Sequence, residues 1–147
     1  MKAIIQRCTK GSVSVNDKII NKINKGYVIL VGIAKDDTLE DAEYLANKIL
    51  KLRIFDDEKG IMNKSIIDIN GEILSISQFT LQANTKDGNR PSYINAASSN
   101  DAKPLYEEFN KILNREIKTY EGIFGADMKI DITNDGPVTI IIDSKNK

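Results

Sequence analysis

A chain of 147 residues, 41% hydrophobic and 29% charged, has the size and balance of one domain around one core. Its 21 basic and 21 acidic residues cancel, which excludes a protein that coats nucleic acid through a surplus of Lys and Arg. The absence of histidine and the single cysteine, Cys8, exclude a Ser-His-Asp triad, a His-ligated zinc, a thiolate cluster and an intrachain disulfide; the lack of any long apolar stretch or signal-type N-terminus makes a cytoplasmic protein the expectation.

From Met1 to Val15 the pattern is extended, and Asn16-Asp17 turns the chain toward Ile19-Ile20, a β-hairpin unit in which Cys8 reads as a small core residue. Gly26 to Ile33 is a continuous run of β-branched and aromatic residues, the mark of a central strand buried on both faces. Asp36, Asp37 and Thr38 supply cap oxygens and negative charge to a helix. Its apolar face is Leu39, Ala42, Leu45, Ala46, Ile49 and Leu52, with Glu40, Asp41, Lys48 and Lys51 toward water. Arg53 to Phe55 reads as a short strand, Asp56 to Gly60 as a tight turn, Ser65 to Asn70 as extended chain and Asn70-Gly71 as a further turn.

The apolar run Ile73-Leu74-Ser75-Ile76 then continues as a strand through Ser77-Gln78-Phe79-Thr80-Leu81, after which a polar loop runs from Gln82 to Asn89 and closes with Arg90-Pro91-Ser92-Tyr93. A second helix begins near Asn100 or Asp101 with Ala102, Leu105, Phe109, Ile112, Leu113 and Ile117 as its apolar face and Pro104 in its first turn. Gly122 to Ala126 leads into strict alternation, with Met128, Ile130 and Ile132 on one face. Asn134-Asp135-Gly136-Pro137 reads as a turn and Val138 to Ile142 as the second strand of a hairpin. The order predicts an α/β fold: a single compact domain, residues 1–147, of mixed, largely antiparallel sheets with two main helices.

Adjacent Ser, Gln and Thr at the end of an apolar strand need a reason, because buried polar groups are costly unless paired. In extended chain Ser77 and Phe79 point to one side and Gln78 and Thr80 to the other, so the four cluster only if the strand ends or bulges there. A strand end also frees backbone N–H groups, each worth roughly 3 kcal/mol to a developing oxyanion. Spacing alone favours the plainer reading, side chains that satisfy a loop. A nucleophilic Ser or Thr needs a base, and none lies within the motif, so a hydrolase built here suits a substrate that brings its own activating group. Pro137 withholds an N–H where pairing should resume, as at an edge turn, and nothing local compels a cis bond.

Ser77-Gln78-Phe79-Thr80-Leu81 and Asn134-Asp135-Gly136-Pro137-Val138-Thr139 resemble the two signature motifs of the D-aminoacyl-tRNA deacylase family. Arg90-Pro91-Ser92, Gly122 to Met128 and Gln6-Arg7 fit as well, and the resemblance runs along essentially the whole chain. It implies a homodimer of α/β/β-layered subunits that hydrolyses the ester between a D-amino acid and the terminal ribose of tRNA, with the active site at the subunit interface and neither metal nor other cofactor. It further implies that Ser77, Gln78, Phe79 and Thr80 form the catalytic wall. Gly136 and Pro137, joined by a cis peptide and held by Arg7, would exclude L-side chains from the partner's pocket, and Phe124, Ala126 and Met128 would line the substrate site. The partner implied is the 3′ acceptor end of D-aminoacyl-tRNA, with neither DNA nor membrane. Alternative readings are a non-catalytic tRNA-end binding protein and an esterase for small acyl esters. Lys2, Cys8 and Tyr93 depart from the residues usual in the family, and none lies in the two signatures.

Overall fold

In the computed structural model, which describes residues 1–147, the sheet grows outward from one long strand, Lys2–Val15 (β1). Its second half pairs antiparallel with Lys18–Ile23 (β2) across a two-residue turn in which Asn16 and Asp17 both take positive φ, as the tightest hairpins require. Its first half pairs antiparallel with Gly26–Gly32 (β3). Leu39–Lys51 (α1) carries the chain over the sheet, and a small separate hairpin of Phe55–Asp56 (β4) and Met62–Lys64 (β5) follows. Glu72–Ser77 (β6) lies parallel to β3. Ser99–Glu116 (α2) crosses back to Thr119–Glu121 (β7), parallel to β6, and Lys129–Asp143 (β8) closes the chain along the free edge of β1. The sheet order is β2-β1-β3-β6-β7 with β8 on β1. The Asn21 amide donates to the Glu121 carbonyl at 2.6 Å, so the β2 and β7 ends approach and the sheet curls.

β3 is buried on both faces, as its continuous apolar run predicts: Tyr27, Ile29 and Val31 enter the core beneath the helices, and Val28 enters a second core inside the curl with Cys8, Val13, Ile23, Leu74 and Ile76. Burial pushes the Cys8 thiol up to about 11, which suits packing and not nucleophilic attack.

Three local expectations are corrected, and one strand is unforeseen. The segment after Ser65 is a turn and not extended chain, because the Asp68 carboxylate accepts both the Ser65 N–H (2.7 Å) and its hydroxyl (2.8 Å) while Ile66 plugs the core. The second helix begins at Ser99, capped by the Ser98 hydroxyl, so Pro104 falls in its second turn and removes a bond to the carbonyl of Asn100. β7 has too little apolar pattern to be read from sequence, and pairing with β6 makes it a strand. Finally, Asn134 to Pro137 does not reverse the chain. β1 is long enough to offer one edge to all of β8, so the strand continues past Pro137 on the same partner.

Asp41, expected toward water, is buried on α1. Its carboxylate accepts the Ser144 hydroxyl (2.7 Å), the Lys145 ammonium (2.9 Å) and the Thr38 N–H (2.8 Å), and Ser144 in turn accepts from the Met1 ammonium, which also pairs with Asp37. Burial pushes the Asp41 carboxyl up, but these hydrogen bonds and the nearby N-terminal ammonium outweigh it and hold the group well below the usual carboxylate range. A carboxyl depressed on folding contributes stability that is complete above its unfolded value of about 3.9 and is lost as pH falls below it. The Asp41→Asn variant should therefore lose about 1–3 kcal/mol in urea unfolding at pH 7 and show a shallower loss of stability between pH 4 and pH 2 than the parent chain.

Candidate active site

β6 stops at Ser77, and Phe79–Gln82 forms one 3-10 turn. The end is built by close approach: a Cβ on Gly32, the last residue of β3, would lie 2.7 Å from Leu81 Cβ and 2.9 Å from the Gln78 carbonyl, so only glycine lets the turn sit there. The Gln82 side chain fixes the contact by donating to the Gly32 carbonyl at 2.9 Å from a buried position. The Gln78 N–H still donates to Val31 (2.7 Å), whereas the Leu81 N–H closes the turn on the Gln78 carbonyl (3.3 Å). The amides of Phe79 and Thr80 precede that first 3-10 bond and are left free by the turn's own hydrogen bonding. The expected strand through Leu81 is thus corrected to a strand end, one of the two circumstances in which its polar residues can cluster.

This end opens into a cavity of about 680 Å³, a size suited to a nucleoside or similar small ligand. Ser77, Gln78 and Phe79 form one wall, and Phe124, Ala126 and Met128 form the facing one. Thr80 is not part of the lining; its hydroxyl is hydrogen-bonded by the Gln78 amide at 2.5 Å. Asp127 is the sole titratable side chain of the lining and is exposed. Behind the wall the buried Tyr106 packs its ring 5.8 Å from Phe124 and donates its hydroxyl to the Ser75 carbonyl at 2.8 Å. Burial pushes this phenol up to about 12, so it remains a donor at neutral pH. Tyr106, Gly32 and Gln82 hold the site without touching its chemistry, and the signals for them are weak: a tyrosine within an apolar helix face, and a glycine and glutamine at two element ends.

Gly136, Pro137 and Arg7 are not in this cavity. Between the pairs Cys8↔Asn134 and Gln6↔Thr139, residues 135–138 stand opposite Arg7 alone and bow out of the ladder, leaving Gly136 and Pro137 exposed. The Gly136-Pro137 peptide is cis, and Gly136 has φ +118°, a conformation L residues rarely adopt. Beneath the bow, the buried Arg7 donates from Nε to the Asp135 carbonyl (3.2 Å) and from a guanidinium nitrogen to the Ile54 carbonyl (2.7 Å). It also faces the Asp135 carboxylate at 3.3 Å and that of Asp56 at 3.6 Å. The Asn134 amide ties the neck, donating to the carbonyls of Arg7 (2.9 Å) and Val138 (3.2 Å). Within one chain, then, the predicted site residues fall into two groups: a pocket and a separate exposed bow.

Residues 4–143 match the family model described as D-Tyr-tRNA(Tyr) deacylase. A D-aminoacyl-tRNA deacylase of Flavobacterium psychrophilum is 57% identical over 149 residues, spanning 100% of this chain and 99% of its own length. One of Clostridium novyi is 53% identical over 148 residues, with 100% and 99% covered. Among solved structures, a c-Myc DNA Unwinding Element Binding Protein superposes with TM-score 0.93 at 41% identity over 97% of this chain and 98% of that one. A probable eukaryotic D-amino acid tRNA deacylase superposes with TM-score 0.82 at 17% identity over 96% and 97%, a likeness of fold alone.

The close approach at Gly32 is directly testable. Gly32→Ala forces a backbone carbonyl and a Cβ to move, so it should cost about 1–3 kcal/mol in urea unfolding and displace the Phe79 and Thr80 amide resonances, while resonances around the Arg7 bow stay in place.

Proposed function

The chain belongs to the D-Tyr-tRNA(Tyr) deacylase family, and from that membership and the pocket's geometry we propose how it divides the work among its residues. It is a hydrolase of D-aminoacyl-tRNA that releases the D-amino acid and the tRNA, a chiral proofreading activity of translation. The observation that carries the mechanism is the strand end at Ser77, which leaves the amide of Phe79 free at the wall of a nucleoside-sized cavity and that of Thr80 free in the adjoining turn.

The terminal nucleoside of the acceptor end lies against Phe124, Ala126 and Met128, with its esterified ribose toward Gln78 and Phe79. The ribose hydroxyl beside the ester relays a proton, taking one from an attacking water while its own passes toward the esterified ribose oxygen, and so replaces the histidine that the chain lacks. Water oxygen bonds to the ester carbon, and the resulting oxyanion is held by the free N–H groups of Phe79 and Thr80. The C–O bond to ribose then breaks as the departing ribose oxygen takes up the proton that the neighbouring hydroxyl hands on. The Thr80 hydroxyl, engaged by Gln78, is a positioning group and not a nucleophile.

The exposed bow serves a second copy of the chain. Gly136 and Pro137, fixed from below by Arg7, enter the partner's pocket and clash with an L-side chain whatever its chemistry, which gives strict handedness with broad side-chain tolerance. The 72% exposure of Ile141, beyond the bow on β8, supports such a pairing, since an isoleucine that open is what a second subunit would cover. No helix is long and apolar enough to cross a membrane, and a tRNA substrate supports a cytoplasmic activity. Coating DNA would need a basic surplus, which 21 basic and 21 acidic residues do not give.

Five measurements test this reading. Ester loss from D-tyrosyl-tRNA should far outpace loss from L-tyrosyl-tRNA; equal rates would indicate an unselective esterase, and no turnover a binding protein. Thr80→Ala should retain activity within about tenfold, whereas a substrate lacking the vicinal ribose hydroxyl should react about 100-fold or more slowly. The protein should sediment as a dimer, and Gly136→Ala, which would place a Cβ 3.1 Å from the Arg7 guanidinium, should narrow the ratio of D to L rates.

A further inference from the structure

Of the nine Phe and Tyr residues in the chain, only Phe79 and Tyr93 rank among the exposed large hydrophobic side chains, at 57% and 38%. They also touch each other, with ring centroids 5.0 Å apart and planes at 71°, an edge-to-face arrangement in which the edge of one ring meets one face of the other and the remaining faces are left uncovered by the pair. Phe79 lines the cavity, so the pair continues its wall outward. Tyr93 is placed by the loop that precedes it: Asn84 and Ser92 exchange both backbone hydrogen bonds (2.8 and 2.9 Å), closing a narrow neck from which the exposed tip with Lys86 and Arg90 projects. Exposed aromatic faces at the mouth of a nucleoside-sized cavity, next to a loop bearing two cations and one acid, Asp87, match the chemistry of single-stranded nucleic acid: bases stack and phosphates meet cations.

Resting on the reading of the cavity as the seat of the terminal nucleoside, we propose that Phe79 and Tyr93 form a second nucleotide subsite. There the base of the preceding nucleotide stacks, with Lys86 and Arg90 against the linking phosphates. The subsite reads any base, because every base has a stacking face, and it grips only a single-stranded 3′ end, because a paired base has no free face to offer. It adds binding without touching the ester.

The test compares two substrates on each protein: D-tyrosine esterified to adenosine alone, and D-tyrosine esterified to a single-stranded trinucleotide ending C-C-A. For Tyr93→Leu the trinucleotide ester should show a KM raised about ten- to hundredfold with kcat unchanged, while both constants for the adenosine ester stay at the parent value. Tyr93→Phe should behave as the parent. Replacing Lys86 and Arg90 by Ala should lower the salt dependence of kcat/KM for the trinucleotide ester by about 0.7 log per log for each phosphate that the variant no longer neutralises. Equal effects of Tyr93→Leu on the two substrates, or no effect on either, would overturn the subsite. So would a change in sedimentation, which would make Tyr93 part of the subunit interface. Failure of the parent protein to hydrolyse the adenosine ester would instead count against the underlying reading of the cavity.

Discussion

A guanidinium removed from water persists only where acceptors surround it, and Arg7, buried in the middle of β1, draws its acceptors from two distant parts of the chain. The Ile54 carbonyl and Asp56 come from the β4 region, and the Asp135 carbonyl and carboxylate come from the bow in β8. One side chain thus joins three segments that the sheet ladder alone would leave loosely related. The bow is exposed at its tip yet determined at its base, and Asn134 adds two further bonds across its neck. Any task assigned to Gly136 and Pro137 depends on that buried charge.

The pocket follows a different logic. There the determining contacts are between backbones: β3 ends in a glycine so that the turn after β6 can press against it, and the turn leaves two amides without intrinsic partners. Such donors are fixed before substrate arrives and need no reorganisation during reaction, which is where electrostatic catalysis draws its strength. In the proposed mechanism the protein supplies shape and dipoles while the substrate supplies the proton relay, and a chain without histidine is sufficient for that division.

Much of the fold is visible in local pattern. The β3 run, the Asn16-Asp17 turn and the helix faces need only periodicity and turn chemistry. What local pattern misreads depends on length and partners elsewhere. Asn134-Asp135-Gly136-Pro137 has every local sign of a reversing turn, and only the 14-residue length of β1 makes it a bow instead. Asp41 has the look of a solvated helix charge, and it is the return of Ser144 and Lys145 that buries it. At the site, the strand end turns on Gly32, some forty-five residues before it in the chain, so the clustering of Ser77 to Phe79 cannot be read from their own spacing. Nor do the two motifs disclose that their residues form two separate surfaces of one chain.

The bow also governs parity. Between Cys8 and Gln6 the partner strand advances from Asn134 to Thr139, five steps against two, and an odd step exchanges the faces of everything beyond it. Ile130 and Ile132 therefore pack against the core inside the curl, while Ile140 and Ile142, also even-numbered, pack against the core beneath the helices. A single strand with one unbroken alternation serves two opposite interiors because its phase is reset midway. The length of the bow is accordingly quantised: two residues more or fewer preserve the phase, whereas a change of one would turn Ile140 and Ile142 away from their core.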